Sequence, residues 1–146
     1  MKNLSLLTLL FFATLFITAC GGEEDSEPNT PGGDYVRLYY PEATGMDIDF
    51  TLSGNTTTAQ RENNTFDGGS LLGTQREIRY VFAGDIPDGM YTLTATLVSG
   101  DPSGFIIEVR TNDGIGGGNV SANFDQDTSE IIVQMQVTGD EVEFIL

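Results

Sequence analysis

From residue 35 to the end of the chain, apolar and polar residues alternate with a period of two. Val36, Leu38 and Tyr40 are interleaved with Tyr35, Arg37 and Tyr39. Met46, Ile48, Phe50 and Leu52 alternate with Asp47, Asp49, Thr51 and Ser53, and Tyr91, Leu93, Ala95 and Leu97 with Thr92, Thr94, Thr96 and Val98. The same rhythm returns at Ile78, Tyr80 and Phe82, at Phe105, Ile107 and Val109, and at Val120, Ala122 and Phe124. It closes with Ile131, Val133, Met135 and Val137, then Val142, Phe144 and Leu146. Successive side chains of a strand point to opposite faces, so this pattern marks half-buried β-strands. No window keeps apolar residues at the i, i+3, i+4 and i+7 spacing of a helix.

Turn residues punctuate these runs. Pro87-Asp88-Gly89 precedes the Tyr91 run, and Ser99 to Gly104 follows it. Thr138-Gly139-Asp140 joins the last two runs as a tight hairpin. The expectation is an all-β domain over residues 35–146, an antiparallel β-sandwich of about eight strands. A small β-barrel satisfies the same pattern and remains the alternative. Residues 54–75 are the least patterned. Gly54 to Ala59 could begin a strand, Asn63 to Ser70 reads as a loop, and the stretch is expected to hide one short edge strand.

Ahead of this domain the chain is of a different kind. Lys2 is followed by a nearly wholly apolar run, Leu4 to Ala19, which is short of the roughly 20 residues of a membrane span. Gly-Gly and acids follow it, with no basic stop-transfer flank. Residues 1–19 therefore read as a secretory signal peptide. Residues 20–34 hold Pro28, Pro31, two Gly-Gly pairs and five acids, and beyond Cys20 no apolar side chain that could anchor them. They read as a flexible acidic tether that repels itself into extension.

The leader ends Ile17-Thr18-Ala19-Cys20, with the chain's one cysteine in last place. This resembles the lipobox of bacterial lipoproteins. The resemblance implies cleavage before Cys20, acylation of its thiol with a diacylglycerol, and usually a palmitate-like chain on the new amino group. One acyl chain holds a protein only marginally, at about 0.8 kcal/mol per buried CH₂, whereas two or three hold it stably. Gly21, rather than Asp, behind the cysteine implies the outer membrane in that family. The run Gly21-Gly22-Glu23-Glu24-Asp25-Ser26-Glu27 resembles the acidic stretch of surface-exported lipoproteins of the Bacteroidota. The expected location is the outer-membrane surface, with the periplasmic face as the alternative.

Composition then narrows the chemistry. The chain has 22 acids against six cations, a formal charge of −16, and no His or Trp. Loss of Lys2 with the leader leaves only Arg37, Arg61, Arg76, Arg79 and Arg110 as cations. So acidic a surface is not suited to nucleic acid, whose binding depends on cations that neutralise phosphates. Without His, Lys or an unmodified thiol, nucleophilic catalysis, Schiff-base chemistry and a zinc site lack their parts. A glycosidase needs only two spaced carboxyls, and that remains the least favoured reading. No catalytic residue and no cofactor is assigned.

Three local features have the composition of a site. Gly114 to Gly118 is glycine-rich, but Asn119 to Ala122 behind it reads as a strand, not as the helix a phosphate loop requires. It is expected to be a mobile hairpin loop. Asp125, Asp127 and Glu130 sit at positions one, three and six of a candidate calcium loop, with Asn112-Asp113-Gly114 as a further oxygen source. That loop lacks the Gly at position six and the Glu at position twelve of an EF-hand, so a solvated acidic turn is the plainer reading. Tyr35 and Tyr39, with Arg37 between them, form a candidate glycan platform if their face is open, and otherwise pack on the tether or an edge strand. The expected function is a non-catalytic binding or scaffolding module for a protein or glycan partner. The alternative is an assembly component acting by strand addition at Val142 to Leu146.

Overall fold

The computed structural model describes residues 33–69, 73–111 and 116–145. The leader, Cys20, most of the expected tether and Asn112-Asp113-Gly114 lie outside the described residues. Among the described residues, nine strands form two antiparallel sheets that pack face to face as a β-sandwich and do not close into a barrel. They are β1 (Tyr35–Pro41), β2 (Asp47–Ser53), β3 (Ala59–Asp67), β4 (Thr74–Phe82), β5 (Gly89–Ser99), β6 (Gly104–Arg110), β7 (Gly117–Asn123), β8 (Glu130–Thr138) and β9 (Glu141–Ile145). The five-stranded sheet runs β3-β4-β1-β6-β7 and the four-stranded sheet β2-β5-β8-β9. Three hairpins, β3–β4, β6–β7 and β8–β9, stay within a sheet, and every other connection crosses to the opposite one. A single 3-10 turn, Glu42–Thr44, makes the first crossing.

The alternating positions meet between the sheets. Val36, Leu38, Phe50, Tyr91, Leu93, Ile107, Val133 and Met135 are buried, and Phe105 stacks on Phe124 with centroids 4.9 Å apart. Two tyrosines tie the layers together through their polar ends. The Tyr80 hydroxyl donates to the Phe50 carbonyl (3.2 Å), so a β4 side chain holds a β2 backbone. The Tyr91 hydroxyl donates to the carbonyl of Pro87, four residues upstream (2.7 Å), and to that of Asn55 (3.3 Å). This is the tyrosine-corner geometry of Greek-key sandwiches, and it pins the β4–β5 and β2–β3 connections together.

Two segments differ from the sequence reading. Asn63 to Asp67 belong to β3, a nine-residue edge strand, and not to a loop; Gly54 to Thr58 form the turn before it. An edge strand overhanging a narrower sheet is wet on both faces, so it needs no alternation and carries no core signal. Gly117 and Gly118 likewise start β7, paired with Arg110 and Val109, rather than lying in a mobile loop. Pairing with β6 supplies the order that the glycines' own propensity does not.

The ordered fold also takes in the last two residues of the expected tether. Asp34 is buried, its N–H donates to the Gly84 carbonyl (3.0 Å), and its carboxylate accepts the Ile86 N–H (2.8 Å). The Gly33 backbone presses on the Phe82 carbonyl so closely that no side chain fits there. The chain enters the sandwich at the end that carries the Gly54–Thr58 turn and the β8–β9 hairpin.

Candidate functional site

The outer face of the five-stranded sheet holds an ionic and aromatic cluster. On β1, Tyr35, Arg37 and Tyr39 point outward, as their alternation with Val36, Leu38 and Tyr40 requires. Register sets Arg37 between Arg79 of β4 and Glu108 of β6, and Tyr39 beside Glu77. The Arg37 guanidinium donates to Glu108 through Nε (2.6 Å) and to Glu77 through Nη1 (2.7 Å). Arg79 adds a bond from Nε to Glu62 (2.7 Å) and lies 3.4 Å from Glu77. Burial disfavours the Arg37 charge, but the two carboxylates outweigh it and hold the group far above its ordinary pKa.

This cluster occupies the candidate glycan platform. The Arg37 guanidinium carbon sits 4.7 Å from the Tyr39 ring centre, 5.6 Å from that of Tyr35 and 5.5 Å from that of Phe66. Tyr39 also meets Phe66 of β3 edge-on at 6.1 Å. The rings that would receive a sugar are already engaged by a cation and by the edge strand. Arg37 and Arg79, 14% and 12% exposed, fasten β3, β4, β1 and β6 together.

Arg61 and Arg76 are placed otherwise. They border a cleft of about 510 Å³ at the open margin between the two sheets, where β2 faces β3 and β4. Its apolar floor is Tyr40, Ile48 and Ile78. Asp47 and Asp49 of β2 form one wall, and Arg61, Asn63, Asn64 and Thr65 of β3 with Arg76 of β4 form the other. The volume lies in the range of small-molecule sites, about 300–1,000 Å³. Arg61 reaches across to Asp49 (2.8 Å), bridging the sheet edges, and Arg76 lies 3.7 Å from Glu42. Both pairs are close to half exposed, and such pairs contribute about 0–1 kcal/mol. These guanidiniums can therefore exchange a carboxylate for a ligand at little cost, which Arg37 and Arg79 cannot.

The cleft is not legible in the sequence, because its residues come from five strands, β1 to β5, and three of them, Asn63, Asn64 and Thr65, lie in the stretch that reads as a loop. One trace exists: Arg61, Asn63 and Thr65 recur at a period of two, so one polar face of β3, with Asn64 beside it, lines the cavity.

The candidate calcium loop is not assembled. The Asp125 carboxylate accepts the Asp127 N–H (2.9 Å), and its bond from the Thr128 side chain, with that backbone N–H, holds it below its ordinary pKa. It caps its own turn, and among the described residues no three acidic, Cys or His side chains converge on a metal-sized site. The C-terminal strand is an edge of the four-stranded sheet, as strand addition requires, but Glu141 and Glu143 stand exposed along it. Compared with family models, curated proteins and solved structures, the chain matches none of them.

Proposed function

We propose that this protein is a lipid-anchored, non-catalytic binding module of the outer membrane, exposed at the cell surface. Its site is the cleft between β2 and β3–β4. The observation that carries this reading is the cleft itself, which gathers two of the five arginines of the mature chain in loose, exchangeable ion pairs. Guanidinium, carboxylate and carboxamide groups side by side offer donors and acceptors in matched pairs, the arrangement that vicinal hydroxyls require. A hydroxyl-rich ligand, a glycan above all, fits that lining. Cys20 carries the acyl chains, and the residues behind it serve as the spacer.

Two measurements test the halves of this reading. The Cys20→Ala chain should leave the membrane fraction and appear soluble; stable retention with membranes would sink the anchor. Isotope-labelled protein titrated with soluble oligosaccharides should show amide shifts centred on Asn63, Asn64 and Arg76. Arg76→Ala should weaken binding by about tenfold, the loss of one hydrogen bond from a charged group. Shifts confined to Tyr35 and Tyr39, or unchanged affinity in Arg76→Ala, would move the site elsewhere.

A further inference from the structure

Four strands stand at the margins of the two sheets, and three of them are guarded against pairing with another chain. β2 carries Asp47 and Asp49 and a register shift between Asp47 and Ile48. β3 carries Arg61, Glu62 and Asp67, and β9 carries Glu141 and Glu143. Charges and bulges on an edge are the usual protection against strand addition. β7, Gly-Gly-Asn-Val-Ser-Ala-Asn, has no charge, no proline and no register shift across its seven residues. Among the described residues its only sheet neighbour is β6. Val120 and Ala122 face the interior and Asn119, Ser121 and Asn123 the solvent, so the strand is flat and its side chains are small.

The surroundings of this edge have one sign of charge. A groove of about 370 Å³ runs from Gly116 and Gly117 along the β8–β9 hairpin, bordered by Asp140, Glu141 and Glu143 and by no cation. Arg110, paired across from Gly117, is engaged with Glu108 (3.0 Å). A second copy of this chain would bring the same acids against themselves. We infer that β7 is a docking edge for an extended, basic segment of another protein, which adds as a sixth strand and lays alternate Lys or Arg side chains over Asp140, Glu141 and Glu143. Backbone hydrogen bonds supply affinity and the acids supply selection, the division of labour in strand addition. This edge lies on the opposite margin from the cleft, and neither reading depends on the other.

The test uses the full-length chain in detergent and a short fluorescent peptide of alternating valine and lysine with capped ends. Saturable binding is expected. It should weaken by about tenfold or more when Glu replaces Lys, when alternate peptide nitrogens are methylated, and when the protein carries Asn119→Lys with Ser121→Lys. No binding of the lysine peptide overturns the proposal. So does equal binding of the methylated peptide, which would mean charge adsorption without strand pairing; that comparison leaves the protein unaltered. A dimer of the chain alone, lost in the double-lysine variant, would assign the edge to a second copy and overturn the basic partner.

Discussion

Tyr91 shows how much one side chain contributes here. Its ring fills the core against Phe82, and its hydroxyl serves two backbone carbonyls from different connections. Tyr91→Phe keeps the ring and removes the one proton shared by the two carbonyls, so it should lower stability by about 1 kcal/mol in denaturant titrations. The same residue predicts a pH dependence. Burial, with Asp88 nearby, raises the Tyr91 pKa above its ordinary 10.0. The folded state therefore holds this proton more tightly than the unfolded state does. The corresponding stability is whole below pH 10.0 and is lost as the pH rises through the folded value. The phenylalanine variant should lose less stability across that alkaline window than the parent. A part of the alkaline loss should persist, because burial also raises Tyr39.

At the level of elements, β1 and β3 are opposites. β1 lies in the middle of its sheet, between β4 and β6, and buries Val36, Leu38 and Tyr40. β3 pairs with β4 alone, has no buried residue, and is held from the side by Tyr39–Phe66, Arg79–Glu62 and Arg61–Asp49. Amide exchange should follow that order, slowest in β1 and fastest among the paired strands in β3, because opening β3 exposes little apolar surface. Equal protection of the two strands would mean that β3 opens only with the whole domain. An edge strand that moves independently also leaves the cleft wall free to adjust to a ligand. The strand expected within residues 54–75 was legible as an existence but not as a length. Its residues leave both faces wet, and a strand with no buried face carries no alternation of apolar and polar residues.

Charge acts on the molecule as a whole. The full chain sets 22 acids against six cations, and among the described residues ion pairs within 3.5 Å engage Arg37, Arg61, Arg79 and Arg110. The acids in excess of the cations repel one another. Added salt should therefore raise the denaturation midpoint, since screening removes more repulsion than it costs in exposed pairs. A midpoint that fell with salt would mean that the outer-face network of Arg37, Arg79, Glu77 and Glu108 outweighs the net charge.

What the sequence determined by itself is what repeats along the chain or depends on inventory. Alternation over β1, β2, β5 and β8 fixes which side chains face inward, because a one-residue slip would turn every core residue to solvent. The chain has no His, no Lys beyond Lys2 and one Cys, which restricts the available chemistry before any fold is known, and the resemblance of Ile17-Thr18-Ala19-Cys20 to a lipobox is legible locally without any folding. The tertiary structure alone decided the rest. Arg37 and Arg61 look alike in the sequence, yet register buries one among two carboxylates and an aromatic trio and leaves the other at the lip of a cleft. Gly117 to Asn123 and Glu141 to Ile145 differ in charge along the chain, but only the sheet order shows that both are edge strands, where that difference bears on pairing. Such differences arise from which strands become neighbours, and strand neighbours are set by long-range packing rather than by anything a residue carries in its own stretch of chain.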